Sequence, residues 1–116
     1  MEMNIKNTTT RKTLAKNVKL CKTWISQSKG LLFKTKTEPL IFIFKKEKKI
    51  SLHMFFVFCS IDLIFLDKNK KMIEIKEDLK PFQVYFSKQK AQYLLELPQG
   101  TIKASESKLG HIVSFK

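Results

Sequence analysis

Glycine, proline, cysteine and arginine are all scarce in this sequence. Its three glycines include no Gly-x-Gly-x-x-Gly loop of the kind that cradles a phosphate. The two cysteines, Cys21 and Cys59, form no Cys-x-x-Cys pair, and His53 and His111 stand at no metal-ligand spacing from them. These absences predict a protein with no metal site and no cofactor, whose two thiols stay reduced.

Long hydrophobic runs are also missing. Residues 1–17 are polar and basic, without an apolar stretch of the length that a secretory signal needs. The most apolar window, residues 50–66, is interrupted by His53, Ser60 and Asp62, so it is too short and too polar to cross a bilayer. We therefore expect a cytoplasmic protein that does not contact the membrane.

Acidic residues are few compared with basic ones. The net charge is +13, from 23 Lys and Arg against 10 Asp and Glu, and Arg11 is the only arginine. Residues 1–50 hold 13 basic and 3 acidic residues (+10), whereas residues 51–116 hold 10 and 7 (+3). Such a field attracts polyanions, but specific phosphate contacts usually use the guanidinium fork of arginine. The charge predicts a solvating surface with weak, non-specific nucleic-acid binding.

What the sequence does contain is a series of short apolar segments separated by turn signals. They are residues 14–20, 40–44, 50–58, 61–66, 72–76, 82–86, 91–97 and 112–115. Segments of this spacing, without an alternation of strands and long helices, are typical of a β-sandwich or a partly closed barrel. We predict a compact, mainly β single domain over residues 14–116, preceded by a loosely ordered basic tail over residues 1–13.

Two short helices are predicted within this domain. The first covers Trp24–Lys29, with Thr23 as its N-cap, and ends before Gly30. The second runs from Thr101 to Leu109 and ends at Gly110. Glycine is the residue that most often follows the last turn of a helix, because it adopts a positive φ without strain. About two short helices therefore accompany the strands.

Sequence signatures of catalysis are missing. There is no His-Glu-x-x-His motif and no nucleophile elbow. Cys59 stands in an apolar run, where a buried thiol is inert. Phe55, Phe56 and Phe58 follow one another without basic residues between them, so they are predicted to belong to the core rather than to a base-stacking surface. We predict no catalytic residue and favour a non-enzymatic protein.

Three polar residues stand inside otherwise apolar strands, namely His53, Asp62 and Glu96. Asp62 shares a strand face with Ile64 and Leu66, and the other face is apolar too, so its carboxylate is either buried or lines a pocket. A buried carboxylate needs hydrogen-bond partners. Either each residue satisfies backbone groups near a strand end, or all three line one polar pocket for a small ligand. An acid–base pair of Asp62 and Glu96 is a third hypothesis.

Three segments resemble the signatures of one family, called domain of unknown function 192 or uncharacterised protein family 0127. Residues 28–34 (SKGLLFK) are similar to the family's Gly-Leu-Met-Phe-Arg motif. Residues 53–58 (HMFFVF) and 61–67 (IDLIFLD) are similar to its central signature in the archaeal form. Residues 93–100 (YLLELPQG) are similar to its Leu-Glu-Leu-Pro-Ala-Gly segment, and the three appear in the family's order. The resemblance implies a compact, mainly β fold and no established activity.

The chain departs from that family pattern at three positions. Ser60 stands where the family usually has proline, and His111 follows Gly110 where the family often has aspartate. Lys34 replaces the usual arginine, so an anion contact there would use a point charge rather than a bidentate fork. Lys34 is therefore a candidate anion contact of reduced geometric specificity.

These observations support three classes of function. The first is a non-enzymatic module that binds a small polar ligand in a pocket of His53, Asp62 and Glu96. The alternative is a nucleic-acid-binding protein that uses the lysine-rich surface, and the third is an enzyme of unknown reaction. The enzyme ranks last because no nucleophile–base pair and no metal constellation is visible.

Overall fold

The computed structural model describes residues 2–21, 38–54 and 57–115. Over these ranges the chain forms nine strands and one short helix: β1 (Glu2–Asn7), β2 (Lys12–Cys21), β3 (Leu40–Lys48), β4 (Ser51–His53), β5 (Ile61–Leu66), β6 (Met72–Leu79), β7 (Val84–Phe86), β8 (Ala91–Pro98), α1 (Thr101–Ala104) and β9 (Val113–Phe115). The prediction of a compact, mainly β single domain is confirmed.

Seven strands form one sheet in the order β6-β5-β8-β3-β2-β1-β9. The two outermost strands also approach each other, because Lys71 forms an isolated bridge with Ile112 and the Met72 N–H donates to the His111 carbonyl at 2.8 Å. The sheet therefore curls back on itself into a partly closed barrel, one of the two architectures that the sequence predicts.

The barrel sheet separates two hydrophobic clusters, because successive side chains of a strand point to opposite faces. The inner cluster contains residues from the barrel strands and α1, namely Ile5, Leu14, Ala15, Val18, Ile41, Ile64, Leu66, Met72, Leu95, Leu97, Ile102 and Val113. The outer cluster lies between the barrel sheet and the β4–β7 region and contains Leu40, Phe42, Ile50, Met54, Val57, Ile61, Leu63, Phe65, Leu79, Ala91 and Leu94. Both faces of β5 are consequently buried along its whole length, as are both faces of β8 from Leu94 to Leu97.

Strands β4 and β7 form a separate two-stranded antiparallel sheet. Tyr85 of β7 stacks on Phe65 of the outer cluster, with 5.8 Å between ring centroids. Glu74 of β6 holds the loop that follows β7, because its Oε1 accepts the Lys88 N–H at 2.8 Å and the Gln89 N–H at 2.9 Å. Its Oε2 accepts the Tyr85 hydroxyl of β7 itself. Burial and this bond raise the pKa of Tyr85 to about 12. The small sheet is thus anchored on the barrel.

The N-terminal residues differ from the loosely ordered tail that the sequence predicts over residues 1–13. Residues 2–7 form β1, which pairs with both β2 and β9. Ile5 and Asn7 are fully buried. The sequence is misleading here because the segment has little apolar content, and backbone pairing together with the bonds of Asn7 holds the strand in place.

The two predicted helices have different outcomes. Thr23–Lys29 lies outside the described residues. The second helix begins at Thr101 as predicted but ends at Ala104 instead of continuing to Leu109. Glu106 has a φ of 55°, the left-handed conformation that an α-helix does not continue through.

The aromatic run at residues 55–58 also differs in part from the prediction. The sequence predicts a core position for Phe58, but this side chain is 47% exposed. Its ring packs edge-on against Phe82, with 6.0 Å between centroids. Phe55 and Phe56 lie outside the described residues.

Candidate functional site

Asp62 accepts backbone N–H groups from two parts of the chain. It is 1% exposed on β5, a strand that is buried along its whole length. Its Oδ1 accepts the Asp78 N–H at 3.0 Å, and its Oδ2 accepts the Gly100 N–H at 3.1 Å and the Ile102 N–H at 3.0 Å. The N–H groups at the start of a helix have no partner within it, so Asp62 anchors α1 to the barrel.

Glu96 is also buried, but in apolar surroundings. It is 3% exposed on β8, and its cross-strand neighbours are Leu40 of β3 and Leu63 of β5. Burial raises the pKa of the Glu96 carboxyl to about 8, because desolvation disfavours the charged form. The protonated form therefore predominates at neutral pH.

Asp62 and Glu96 lie on opposite faces of the sheet. In the β5–β8 ladder Asp62 is opposite Leu97, whereas Glu96 is opposite Leu63. Residues opposite each other in a ladder share a face, so Asp62 is on the side of the inner cluster and Glu96 on the side of the outer cluster. This register gives no acid–base pair and no pocket shared by the two carboxyl groups.

His53 is not brought to Asp62 or Glu96. His53 ends β4 opposite Val84, at an exposed position of the two-stranded sheet. Lys34 lies outside the described residues. Within the ranges that the structure describes, no group of His, Cys, Asp and Glu could hold a metal ion. No helix in these ranges is long and apolar enough to span a membrane.

An open groove lies between the turn that joins β1 to β2, strand β6 and the segment from α1 to β9. We call it the α1 groove. Its volume is about 780 Å³, and its lining residues are Thr10, Glu77, Ile102, Lys103, Glu106, Ser107, Lys108 and His111. Most of these side chains are polar or charged, and Ile102 gives the groove an apolar part.

The buried side chain of Asn7 fixes one wall of the groove. Its Oδ1 accepts the N–H groups of Thr9 at 3.0 Å and Thr10 at 3.1 Å, and these two donors determine which end of the amide is oxygen. The Nδ2 group therefore donates, to Ser107 Oγ at 3.0 Å and to His111 Nδ1 at 3.1 Å. Asn7 thus ties the β1–β2 turn to the loop that follows α1.

The same bonds determine the tautomer of His111. Its Nδ1 lies 3.3 Å from the Lys108 backbone N–H as well as 3.1 Å from Asn7 Nδ2. Since both partners are donors, Nδ1 accepts, and the neutral ring carries its proton on Nε2. His111 therefore brings an N–H donor to the lining of the groove.

Ser107 and His111 do not form a nucleophile–base pair. Ser107 Oγ accepts from Asn7 and lies 2.7 Å from Ser105 Oγ, which in turn donates to the Thr101 carbonyl at 2.8 Å. No hydrogen bond joins Ser107 to His111 in the described part of the chain, whereas an activated serine needs a base within hydrogen-bond reach. The network is a structural support for the loop.

The charges of the groove leave a positive balance. Glu106 forms an ion pair with Lys12, and this hydrogen-bonded contact lowers the pKa of Glu106. Glu106 is thereby compensated mainly by Lys12, from outside the lining, with a smaller contribution from Lys108. Two lysines, Lys103 and Lys108, then stand against the single carboxylate of Glu77.

Sequence reasoning does not single out most of these residues. His111 stands out only as a departure from a family pattern, and Asn7, Lys103 and Ser107 carry no local signal. The contact between Asn7 and His111 joins positions 104 residues apart, so no local spacing could indicate it. The Gly110-His111 pair is the one usable signal, since it places a polar ring directly after a turn.

Solved structures share this partly closed β-barrel. A protein titled as a putative transcription regulator, from Sinorhizobium meliloti 1021, has a TM-score of 0.85 at 18% identity, over 98% of this chain and 92% of that chain. A protein of unknown function from Novosphingobium aromaticivorans has a TM-score of 0.83 at 20% identity, over 98% and 84% of the two chains. These likenesses show the fold alone.

The sequence comparisons give the family. The model of the DUF192 family, described as "Uncharacterized ACR", matches residues 5–115. A UPF0127 protein of Pyrococcus horikoshii is 34% identical over 100 residues, which cover 84% of this chain and 86% of that protein. The chain therefore belongs to the DUF192 (UPF0127) family, as its three signature segments predict.

Proposed function

We propose that this chain is a non-enzymatic binding module and that the α1 groove holds a small polar ligand. One observation carries the proposal: a groove of about 780 Å³ whose polar wall is fixed by one buried and one partly buried hydrogen bond of Asn7. This volume lies within the range typical of small-molecule sites. The function is the one that the sequence predicts, but its site is the groove rather than a pocket of His53, Asp62 and Glu96.

The lining favours a ligand with an anionic group. Lys103 and Lys108 provide positive charge, and the Nε2–H of His111 provides a directed donor. Ile102 offers a small apolar contact in the same groove. A molecule with a carboxylate or phosphate group and a short hydrocarbon part matches these features. Lysine binds such a group as a point charge rather than through a bidentate fork.

The proposal can be tested by nuclear magnetic resonance titration with inorganic phosphate and succinate as anionic probes and glycerol as an uncharged probe. We expect saturable shifts in the amides of Lys103, Ser107 and His111 with an anionic probe. A Lys103→Gln and Lys108→Gln double variant should bind that probe about tenfold more weakly, the effect expected when one or two ion pairs with the probe are removed.

The matched control is a Lys45→Gln and Lys46→Gln double variant, which removes two exposed lysines of β3 and the same total charge. Its affinity should stay close to that of the wild type. If both double variants bound the anionic probe equally more weakly than the wild type, binding would depend only on the net charge of the protein. That result, or an absence of saturable shifts in the groove amides with every probe, would contradict the proposal.

A further inference from the structure

A surface separate from the α1 groove carries most of the exposed aromatic rings in the described part of the chain. In the β4–β7 ladder Ser51 is opposite Phe86 and His53 is opposite Val84. These four side chains share one face of the small sheet, and all four are exposed. Together with Phe58 and Phe82, which lie beside the sheet, we call this surface the aromatic face.

The rings of the aromatic face are accessible to a partner. Phe86 is 70% exposed, Phe82 51% and Phe58 47%, whereas Phe42 and Phe65 are buried in the outer cluster. Phe58 and Phe82 meet edge to face, with 6.0 Å between centroids and an interplanar angle of 64°. Exposed side chains of this size, grouped on one surface, mark interaction sites.

The backbone at Phe82 gives an independent sign that this ring is placed for contact. Phe82 follows Pro81 in a turn closed by the Gln83 N–H to the Lys80 carbonyl at 3.2 Å, and its φ is +66°. Glycine or asparagine normally takes such a position, because a bulky side chain is strained there. The chain instead presents an exposed aromatic ring, and strained residues of this kind cluster at binding sites.

Lysines surround the Phe86 end of the aromatic face. The Ser87 N–H donates to the Ile50 carbonyl at 2.8 Å, and Lys48 is opposite Ala91 in the β3–β8 ladder. These pairings bring together four exposed lysines, defined here as the lysine cluster: Lys48, Lys49, Lys88 and Lys90.

Lysines outnumber acidic residues in the two segments that form this region. The segments 45–53 and 80–90 contain seven lysines and one acidic residue, Glu47. One of the seven, Lys80, forms an ion pair with Asp78 at 3.1 Å. Glu47 Oε2 accepts the Lys68 backbone N–H at 3.1 Å. The charge of this region is therefore complementary to a polyanion, and the aromatic face lies directly beside it.

We propose that the aromatic face binds single-stranded nucleic acid, with bases stacked on Phe86, Phe82 and Phe58 and phosphates against the lysine cluster. Exposed rings on a β-sheet beside positive charge are the arrangement with which proteins stack unpaired bases. Paired bases keep their faces covered, so the rings favour a single strand over a duplex. The hydroxyl of Ser51 and the ring of His53 lie on the same face and suit the polar edges of bases better than the interior of a lipid bilayer.

The test is fluorescence anisotropy with labelled oligothymidylate and oligouridylate of about twelve nucleotides, a length within the usual site size, and with a duplex of equal length. We expect the single strands to bind more tightly than the duplex. Phe86→Ser and Phe82→Gly should each weaken single-strand binding by about tenfold, the loss expected for one stacked base. Lys88→Gln with Lys90→Gln should reduce the salt dependence of binding, with a slope smaller by about 0.7 for each phosphate that is no longer neutralised.

Ile112→Ser is the matched control, because Ile112 is 39% exposed and lies on the barrel closure rather than on the aromatic face. It should bind like the wild type. Thermal melts monitor folding, and Phe82→Gly should melt at or above the wild-type temperature because glycine relieves the positive φ.

Two results would overturn the proposal. One is unchanged affinity in both phenylalanine variants, which would show that charge alone is sensed. The other is a protein that binds neither single-stranded oligonucleotide but binds phosphatidylcholine vesicles that contain phosphatidylserine. If Phe86→Ser abolished that vesicle binding, the aromatic face would be a membrane contact instead.

Discussion

Replacement of Glu96 by glutamine is expected to stabilise the protein in alkaline solution and to remove much of the pH dependence of its stability. The pKa of Glu96 is raised by burial to about 8 from an ordinary value of 4.5. Between these two values the folded protein keeps a proton that the unfolded chain has released. Stability therefore falls as the pH rises from about 4.5 to about 8, and it becomes level above that range.

Glutamine has a similar shape and carries no charge at any pH. At about pH 9 the free energy of unfolding of Glu96→Gln should exceed that of the wild type by an amount on the order of 3 kcal/mol. At about pH 4 the two proteins should have similar stability, because both side chains are then neutral. Urea denaturation at a series of pH values measures this difference.

Glu77→Gln provides the control for this series. Glu77 is exposed on β6, so its substitution changes the net charge by the same amount without changing a buried group. The free energy of unfolding of Glu77→Gln should change with pH in the same way as that of the wild type. If Glu96→Gln also runs parallel to the wild type, then Glu96 is not a desolvated carboxyl in the folded protein.

The sequence predicts the burial of Asp62 and Glu96 but not their separation. Alternation within one strand shows that neighbours on both faces are apolar, and this is enough to indicate low exposure. Whether two strands place their polar residues on the same face depends on the register of the ladder, in which Asp62 is opposite Leu97. A shift of one residue reverses the face. No pattern within a single strand contains that information.

The α1 groove and the aromatic face are also beyond sequence reasoning, for a similar physical reason. The groove depends on Asn7, which belongs to a segment too polar to be predicted as a strand. The aromatic face depends on the pairing of β4 with β7, and the sequence places Phe58 in the core. In each case a contact distant in sequence decides which side chains remain accessible.

Replacement of Asp62 by alanine is expected to cause a large loss of stability. Three buried or partly buried N–H groups, those of Asp78, Gly100 and Ile102, would lose their acceptor at once. Each unsatisfied buried donor costs about 1–3 kcal/mol. Because some of these donors would gain access to water in the variant, we expect a total loss on the order of 3 kcal/mol.

Asp62→Asn should lose less, on the order of 2 kcal/mol, since asparagine keeps one oxygen acceptor but turns an amide N–H toward the remaining donors. Asp67→Ala is the matched control. The Asp67 Oδ1 also accepts two backbone N–H groups, those of Asn69 at 2.8 Å and Lys71 at 3.0 Å, but these bonds are exposed. Water can replace the carboxylate there, so Asp67→Ala should lower the free energy of unfolding by only about 1 kcal/mol.

Urea melts measure the loss of stability in the three variants, and hydrogen exchange shows which amides lose protection. In Asp62→Ala the amide of Ile102 should lose protection, because this carboxylate accepts its N–H at the start of α1. Asp62→Asn should retain part of that protection. Two outcomes would contradict the anchoring role: a loss in Asp62→Ala no larger than in Asp67→Ala, or a gain of stability in Asp62→Asn, which would instead indicate that Asp62 is a strained binding residue.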